Sequence, residues 1–161
     1  MTPVSRRLRL YGQPAEVADL PWAWAEERLA AAPTYWVTAG GVARPHPRPV
    51  WGVWHGDRLL LSVGSPALAS SLVPGGQVTV HLDSGTEVVV VEGRVGERGV
   101  VDDDVVAAYD TKYDWRYDIG EYGPLTAIVP DRVHAWHSAG WAGRNGFVAG
   151  ATFDFTDAGG G

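Results

Sequence analysis

The chain contains no cysteine. Disulfides, thiolate metal centres, iron–sulfur clusters and cysteine nucleophiles are thereby excluded. That absence fits a reducing cytoplasm, which is the expected location. No run approaches the roughly 18 consecutive apolar residues of a membrane span. Ser5-Arg6-Arg7-Leu8-Arg9-Leu10 opens like a twin-arginine export signal, but Gly12, Gln13, Pro14, Glu16 and Asp19 interrupt the apolar stretch that should follow. Export is therefore not expected. Basic residues are in short supply, 13 Lys and Arg against 19 Asp and Glu, for a net charge of -6. Without a basic stripe, neither nucleic acid nor an acidic membrane is an expected partner. The G-x-S-x-G, H-E-x-x-H and Walker patterns are missing as well. Gly40-Gly41 opens no helix, so it is no dinucleotide fingerprint.

What is present describes an ordinary globular chain. Its 161 residues suffice for one core, with 45% hydrophobic and 20% charged residues. There is no internal repeat and no linker; residues 1–157 read as one domain and 158–161 as a Gly-rich tail. Eight Trp in one small domain is unusual. They serve either as large core fillers with a polar handle or as aromatic walls for a planar ligand. Core filling is the commoner role of any one Trp.

Residues 1–18 have no clear period and are expected to wrap the surface. Pro21 to Ala32 reads as a helix, with Pro at its first position and Pro33 as its stop. Thr34 to Ala39 favours a strand. Arg44-Pro45-His46-Pro47-Arg48-Pro49 is extended, and its prolines argue against a central ladder there. Val50 to His55, the Gly56-Asp57 turn and Arg58 to Val63 form a hairpin. Ser65 caps a short helix begun by Pro66. Val78 to Leu82 and Thr86 to Val95 form a second hairpin. Within it, Val88-Val89-Val90-Val91 suggests burial on both faces, as in a barrel wall or a subunit contact. Asp102-Asp103-Asp104 opens a helix reaching about Trp115. The three carboxylates complement the helix dipole rather than mark a metal site. A loop of Gly, Pro and Tyr follows, then strands at Leu125 to Val129, Val133 to His137 and Phe147 to Phe155. The expected fold is mainly β (α+β): a barrel of six to seven antiparallel strands with two to three helices.

Gly52 stands inside the strand Val50-Trp51-Gly52-Val53-Trp54, where glycine is unfavourable. It marks either a bulge in the barrel wall or a close approach to the backbone. In a regular strand Arg48, Val50, Gly52 and Trp54 share a face, with a guanidinium at one end and room for a flat ring in the middle. His134 and His137 point to opposite faces of a strand, and no metal site is expected. His46 is either an exposed loop residue or a proton donor near that face.

The order of these elements, and the wording LPWAWAEERL, RPVWGVWHGDRLLLSVGSP, EVVVVEGRV, YDTKYDW and VPDRVHAW, resembles the pyridoxamine 5'-phosphate oxidase-like split-barrel family. The likeness is strongest to its small actinobacterial flavin/deazaflavin branch. It implies a homodimeric split barrel holding coenzyme F420 or FMN at the dimer interface and passing a hydride to or from a small organic substrate. By this resemblance the ring lies along the Gly52 strand and is contacted by the backbone around Pro49, Val50 and Trp51, with Gly52 beneath the ring and Arg48 a candidate for the phosphate. Ser62, Val63, Gly64 and Ser65 face the ribityl chain and phosphate. Lys112, paired with Tyr113, stands near the cofactor mouth; the alternative is a solvated helix lysine. The resemblance implies no obligate catalytic side chain; His46, Lys112 and Tyr113 are the groups at hand to polarise a substrate.

Two stretches depart from the family pattern. The basic pair that commonly follows the strand is absent, with Ala67, Leu68, Ser70 and Ser71 in or near its place. The arginines of the last strand are also gone, the chain reading Ala151-Thr152-Phe153-Asp154-Phe155. A phosphate would find helix N–H groups, serine hydroxyls and Arg48, but no paired cation. A non-catalytic ligand-binding barrel is the alternative function these losses imply.

Overall fold

Order in this chain is set by hairpins that close on themselves. The computed structural model describes residues 2–8, 18–40, 44–139 and 147–155. Along them run β1 (Val4–Arg7), α1 (Trp22–Ala31), β2 (Tyr35–Ala39), β3 (Arg48–His55), β4 (Arg58–Ser62), α2 (Pro66–Ser71), β5 (Gln77–His81), β6 (Glu87–Val100), α3 (Asp103–Tyr113), α4 (Ile119–Tyr122), β7 (Leu125–Ser138) and β8 (Phe147–Asp154). All strand pairings between these elements are antiparallel, in the order β1-β8-β7-β4-β3-β2-β5-β6. β6 then pairs back onto β7, closing six strands into a barrel. β7 is long enough to serve two neighbours on its other side. Thr126 to Ile128 pair with β4, and Arg132 to Ser138 pair with β8.

The mainly β class is as expected, with eight strands and four helices among the described residues. The differences have local causes. β1 was expected to be irregular because Val4-Ser5-Arg6-Arg7 has no buried side. It is a strand because β8 offers an open edge, a backbone property that side-chain patterning does not report. The two expected runs around Pro130 are one strand. Gly93 lies opposite Pro130 at a register shift, where a Cβ would come 2.4 Å from the Val129 carbonyl oxygen, so glycine lets β6 pass the proline. Pro49 lies inside β3, opposite Trp36, in an interior strand. By backbone alternation its nitrogen points to the β4 side, where pairing ends at Trp51 and Ser62. The missing donor therefore falls where there is no ladder to serve.

Local chemistry accounts for the other elements. Gly56 and Asp57 both take φ 59°, as a two-residue primed turn requires. In α1, Ala25 and Leu29 face the core, and Pro33 ends the helix after Ala32. Val89 and Val91 are buried inside the barrel, while Val88 and Val90 are half-buried outside it. The carboxylates at the start of α3 meet the β3–β4 hairpin: Asp104 lies 3.0 Å from His55, and Asp102 lies 3.4 Å from Arg58. A second, smaller core, with Val53, Leu60, Val105, Tyr109 and Tyr117, seats α3 on the outside of the barrel. No helix among the described residues is long and apolar enough to cross a membrane.

Candidate functional site

Where β3 and β4 part beyond Trp51 and Ser62, a cavity of about 490 Å³ opens. Its strand side is Arg48, Pro49, Val50 and Trp51 with Ser62, Gly64 and Ser65. Seven of the ten residues named from the sequence thus surround one space. At Gly64 an added Cβ would meet no atom within 4 Å, so the backbone itself leaves room there. Ser65 caps α2, accepting from the Leu68 N–H at 3.4 Å.

The other three lie elsewhere. Val63 alternates inward and packs on the main core. Gly52 is buried in regular register opposite Leu61. A Cβ on it would lie 2.6 Å from the Leu60 carbonyl oxygen and 2.7 Å from Leu61 Cδ2. The close approach is therefore by the adjoining strand, and the expected opening above Gly52 is filled with protein. Lys112 is neither solvated nor at the cavity. Its ammonium donates to the Tyr35 hydroxyl at 2.8 Å and to the Gly52 carbonyl at 2.9 Å. Burial lowers its pKa to about 8.

These contacts have a structural cause. β2 pairs with β3 only as far as Tyr35 and Val50. Continuing that register sets Pro33 opposite Gly52, and Pro33 has no N–H to give. Tyr113 fills the gap. Its hydroxyl accepts from the Gly52 N–H at 2.9 Å, and its one proton lies between the Gly52 and Pro33 carbonyls, at 2.8 and 3.0 Å. Lys112 and Tyr113 thus complete the β3 edge from α3, and neither is a wall of the cavity.

The far wall was missed by sequence reasoning. It consists of Tyr109, Trp115, Tyr117 and Tyr122, from α3, the loop after it and α4. With Trp51 and Tyr113 they form a closed circuit of ring contacts. Tyr113 stacks on Trp51 at 5.0 Å and 11°. Tyr109 lies 4.7 Å from both Tyr113 and Tyr117. Tyr122 joins Tyr117 to Trp115 at 5.8 and 6.0 Å. Trp115 meets Trp51 edge-on at 6.0 Å and 77°, closing the loop. Trp51 remains 44% exposed and Trp115 45%, although both are large apolar rings. Such exposure around a cavity is a binding signature rather than a core one. The available signal was five aromatic residues between Tyr109 and Tyr122.

Polar groups in the walls are few. Ser62 faces the cavity beside Tyr109 and Tyr117, and burial raises the pKa of both phenols, so they stay protonated. Tyr117 also donates to the Gly123 carbonyl at 2.6 Å. Arg48 is exposed, donates to the Pro47 carbonyl at 3.0 Å, and forms no ion pair among the described residues. His46 meets the Arg44 carbonyl at 3.0 Å and is no wall of the cavity.

No family model matches this chain, and no curated protein matches it. Solved structures do. An FAD-binding protein from Mesorhizobium loti is 14% identical, with 83% of this chain and 95% of that one covered, at a TM-score of 0.55. An FAD-binding protein from Mycobacterium smegmatis is 14% identical, covering 86% and 100%, at 0.53. A pyridoxamine 5'-phosphate oxidase candidate from Listeria innocua is 17% identical, covering 71% and 93%, at 0.51. At these identities the likeness establishes the architecture: the chain folds as a split barrel of the kind seen in FAD-binding and pyridoxamine 5'-phosphate oxidase-like proteins.

Proposed function

We propose that this cavity holds a flavin-type cofactor, FMN or coenzyme F420, and that the chain is an oxidoreductase working on a small organic substrate as a homodimer. One observation carries the reading. Arg48 to Trp51 and Ser62, Gly64 and Ser65, named from sequence alone, surround a single cavity faced by four aromatic side chains. The FAD-binding proteins of the same fold support it.

The chemistry of the walls fits the ring of such a cofactor. A flat conjugated system suits Trp51, which Tyr113 backs on one face, with Trp115 standing across its edge. The cavity volume is that of an ordinary small-molecule site. When bound, the cofactor would supply hydride transfer. The chain's own residues would orient the ring, keep water from it through the aromatic wall, and offer the neutral hydroxyls of Ser62 and Tyr109 as donors. Lys112 has a different part, holding β3 straight behind Trp51. The outward Val88 and Val90, beside Trp136 on β7, supply an apolar strip that supports pairing with a second copy.

Titration of the purified protein with F420 and with FMN, followed by cofactor fluorescence, tests the proposal. Saturable binding of either supports it and selects the cofactor. If neither binds while an apolar dye binds saturably, the chain is a non-catalytic ligand-binding barrel. The scarcity of cations around Ser65 favours that second reading.

A further inference from the structure

We infer that the cavity recognises a flat conjugated ring and is indifferent to the charge of the tail attached to it. Phosphate-free and phosphate-bearing forms of the cofactor then bind with similar affinity. This rests on the flavin reading above and narrows its ligand class.

Most of the donors that a phosphate would need are committed elsewhere. Ser65 accepts from the Leu68 N–H as the cap of its own helix, which leaves one neutral hydroxyl proton beside the cavity. Ser70 and Ser71, near the places of the absent basic pair, both donate to the Ala67 carbonyl, at 2.9 and 2.8 Å. Lys112 is turned away onto Gly52. Arg48 is the only charged residue in the walls among the described residues, and it is exposed to water, where a phosphate contact is screened. The rim beyond Trp115 is acidic on balance: Asp114, Asp118 and Glu121 against Arg116. An anionic tail gains little there.

The ring side is built to the opposite degree. Trp51 cannot turn freely, because Tyr113 stacks on it and is itself tied to Gly52 and Pro33. Tyr117 is anchored by its bond to the Gly123 carbonyl, and Tyr109 is buried between Tyr113 and Tyr117. A stacking surface ordered before the ligand arrives loses little entropy on binding. Discrimination in this cavity therefore falls on the ring.

The test compares dissociation constants for riboflavin and FMN, and for the deazaflavin ring with and without its phosphate-bearing tail, by fluorescence quenching and calorimetry. The expected result is less than a tenfold difference within each pair that binds. Each charge-assisted phosphate contact would contribute about tenfold or more. Phosphate-bearing forms binding more than tenfold tighter would overturn this inference and leave the flavin reading standing. If no member of either pair binds, both fall. Trp51→Ala and Trp115→Ala should weaken the two members of a pair by the same factor, and Arg48→Ala should change their ratio by less than threefold. An Arg48→Ala variant that selectively loses the phosphate-bearing form would refute the inference without touching the fold.

Discussion

Replacing Gly52 with alanine separates two explanations of one residue. If the glycine leaves room for a ring, the added methyl blocks ligand and spares the fold. If it admits the neighbouring strand, the methyl damages the fold. The Cβ would sit 2.6 Å from the Leu60 carbonyl oxygen, 2.7 Å from Leu61 Cδ2 and 3.3 Å from Leu61 Cα. The Leu61 methyl can swing aside, but the backbone atoms cannot move without opening the pairs Trp51–Ser62 and Val53–Leu60. Overpacking of this kind costs about 1–3 kcal/mol. For a chain of this length, each kcal/mol shifts the melting temperature by roughly 2–4 °C, so a fall of about 2–12 °C is expected. Displacement of Gly52 also loosens the contacts from Lys112 and Tyr113. The assay is a thermal melt by circular dichroism, with flavin titration of the folded protein well below the transition. An unchanged melting temperature together with abolished binding would refute the strand-contact account and restore the opening.

Tyr113→Phe keeps the stack on Trp51 but leaves the Gly52 N–H without its partner, at a cost of about 1–3 kcal/mol for a buried donor; urea unfolding as stable as wild type would contradict the edge-completion role. Lys112 has a folded pKa near 8, below its ordinary value of 10.5, because burial disfavours its charge. The unfolded chain therefore binds more protons between those values, and stability gains from this group as pH rises from 8. The Tyr35 and Tyr113 phenols, raised by burial, oppose the gain above about pH 10. Lys112→Met should flatten the curve of stability between pH 8 and 10, and a slope that persists would assign it to another group. At Asp154, burial raises the carboxyl pKa, but hydrogen bonds from Arg132 and Arg6 outweigh it and hold the group below its ordinary value. Its contribution is present above about pH 4 and is lost as pH falls through the lowered value. Asp154→Asn should speed amide exchange in Val4–Arg7, since Arg6 ties β1 to β8 through that carboxylate; unaltered exchange would show that backbone pairing alone holds β1.

The strands were legible wherever the side chains alternate or a turn has the right residues. Tyr35, Val37 and Ala39 announce β2, and Gly56-Asp57 announces the β3–β4 hairpin. β1 was not legible, because its side chains carry no apolar period and its partner edge comes from the other end of the chain. Seven residues that the resemblance named, Arg48 to Trp51 with Ser62, Gly64 and Ser65, meet around one cavity because they are close in sequence and joined by one hairpin. Lys112 and Gly52 were not connected by the sequence. The glycine stands out in its strand and the lysine does not stand out in its helix, and only their 2.9 Å contact gives them a common purpose.

The sequence by itself determined the β-rich class, the turns, the helices α1 to α3 and the absence of thiol chemistry. These follow from local periodicity and from residues a few positions apart, which the backbone brings together without help. Tertiary structure alone decided the aromatic wall and the place of Lys112. Trp51 meets Tyr113 and Trp115 across roughly 60 residues of chain, through a helix packed on the outside of a closed barrel. Whether an aromatic ring stands in a core or around a cavity depends on what lies on its other face. Residue type and spacing do not carry that information.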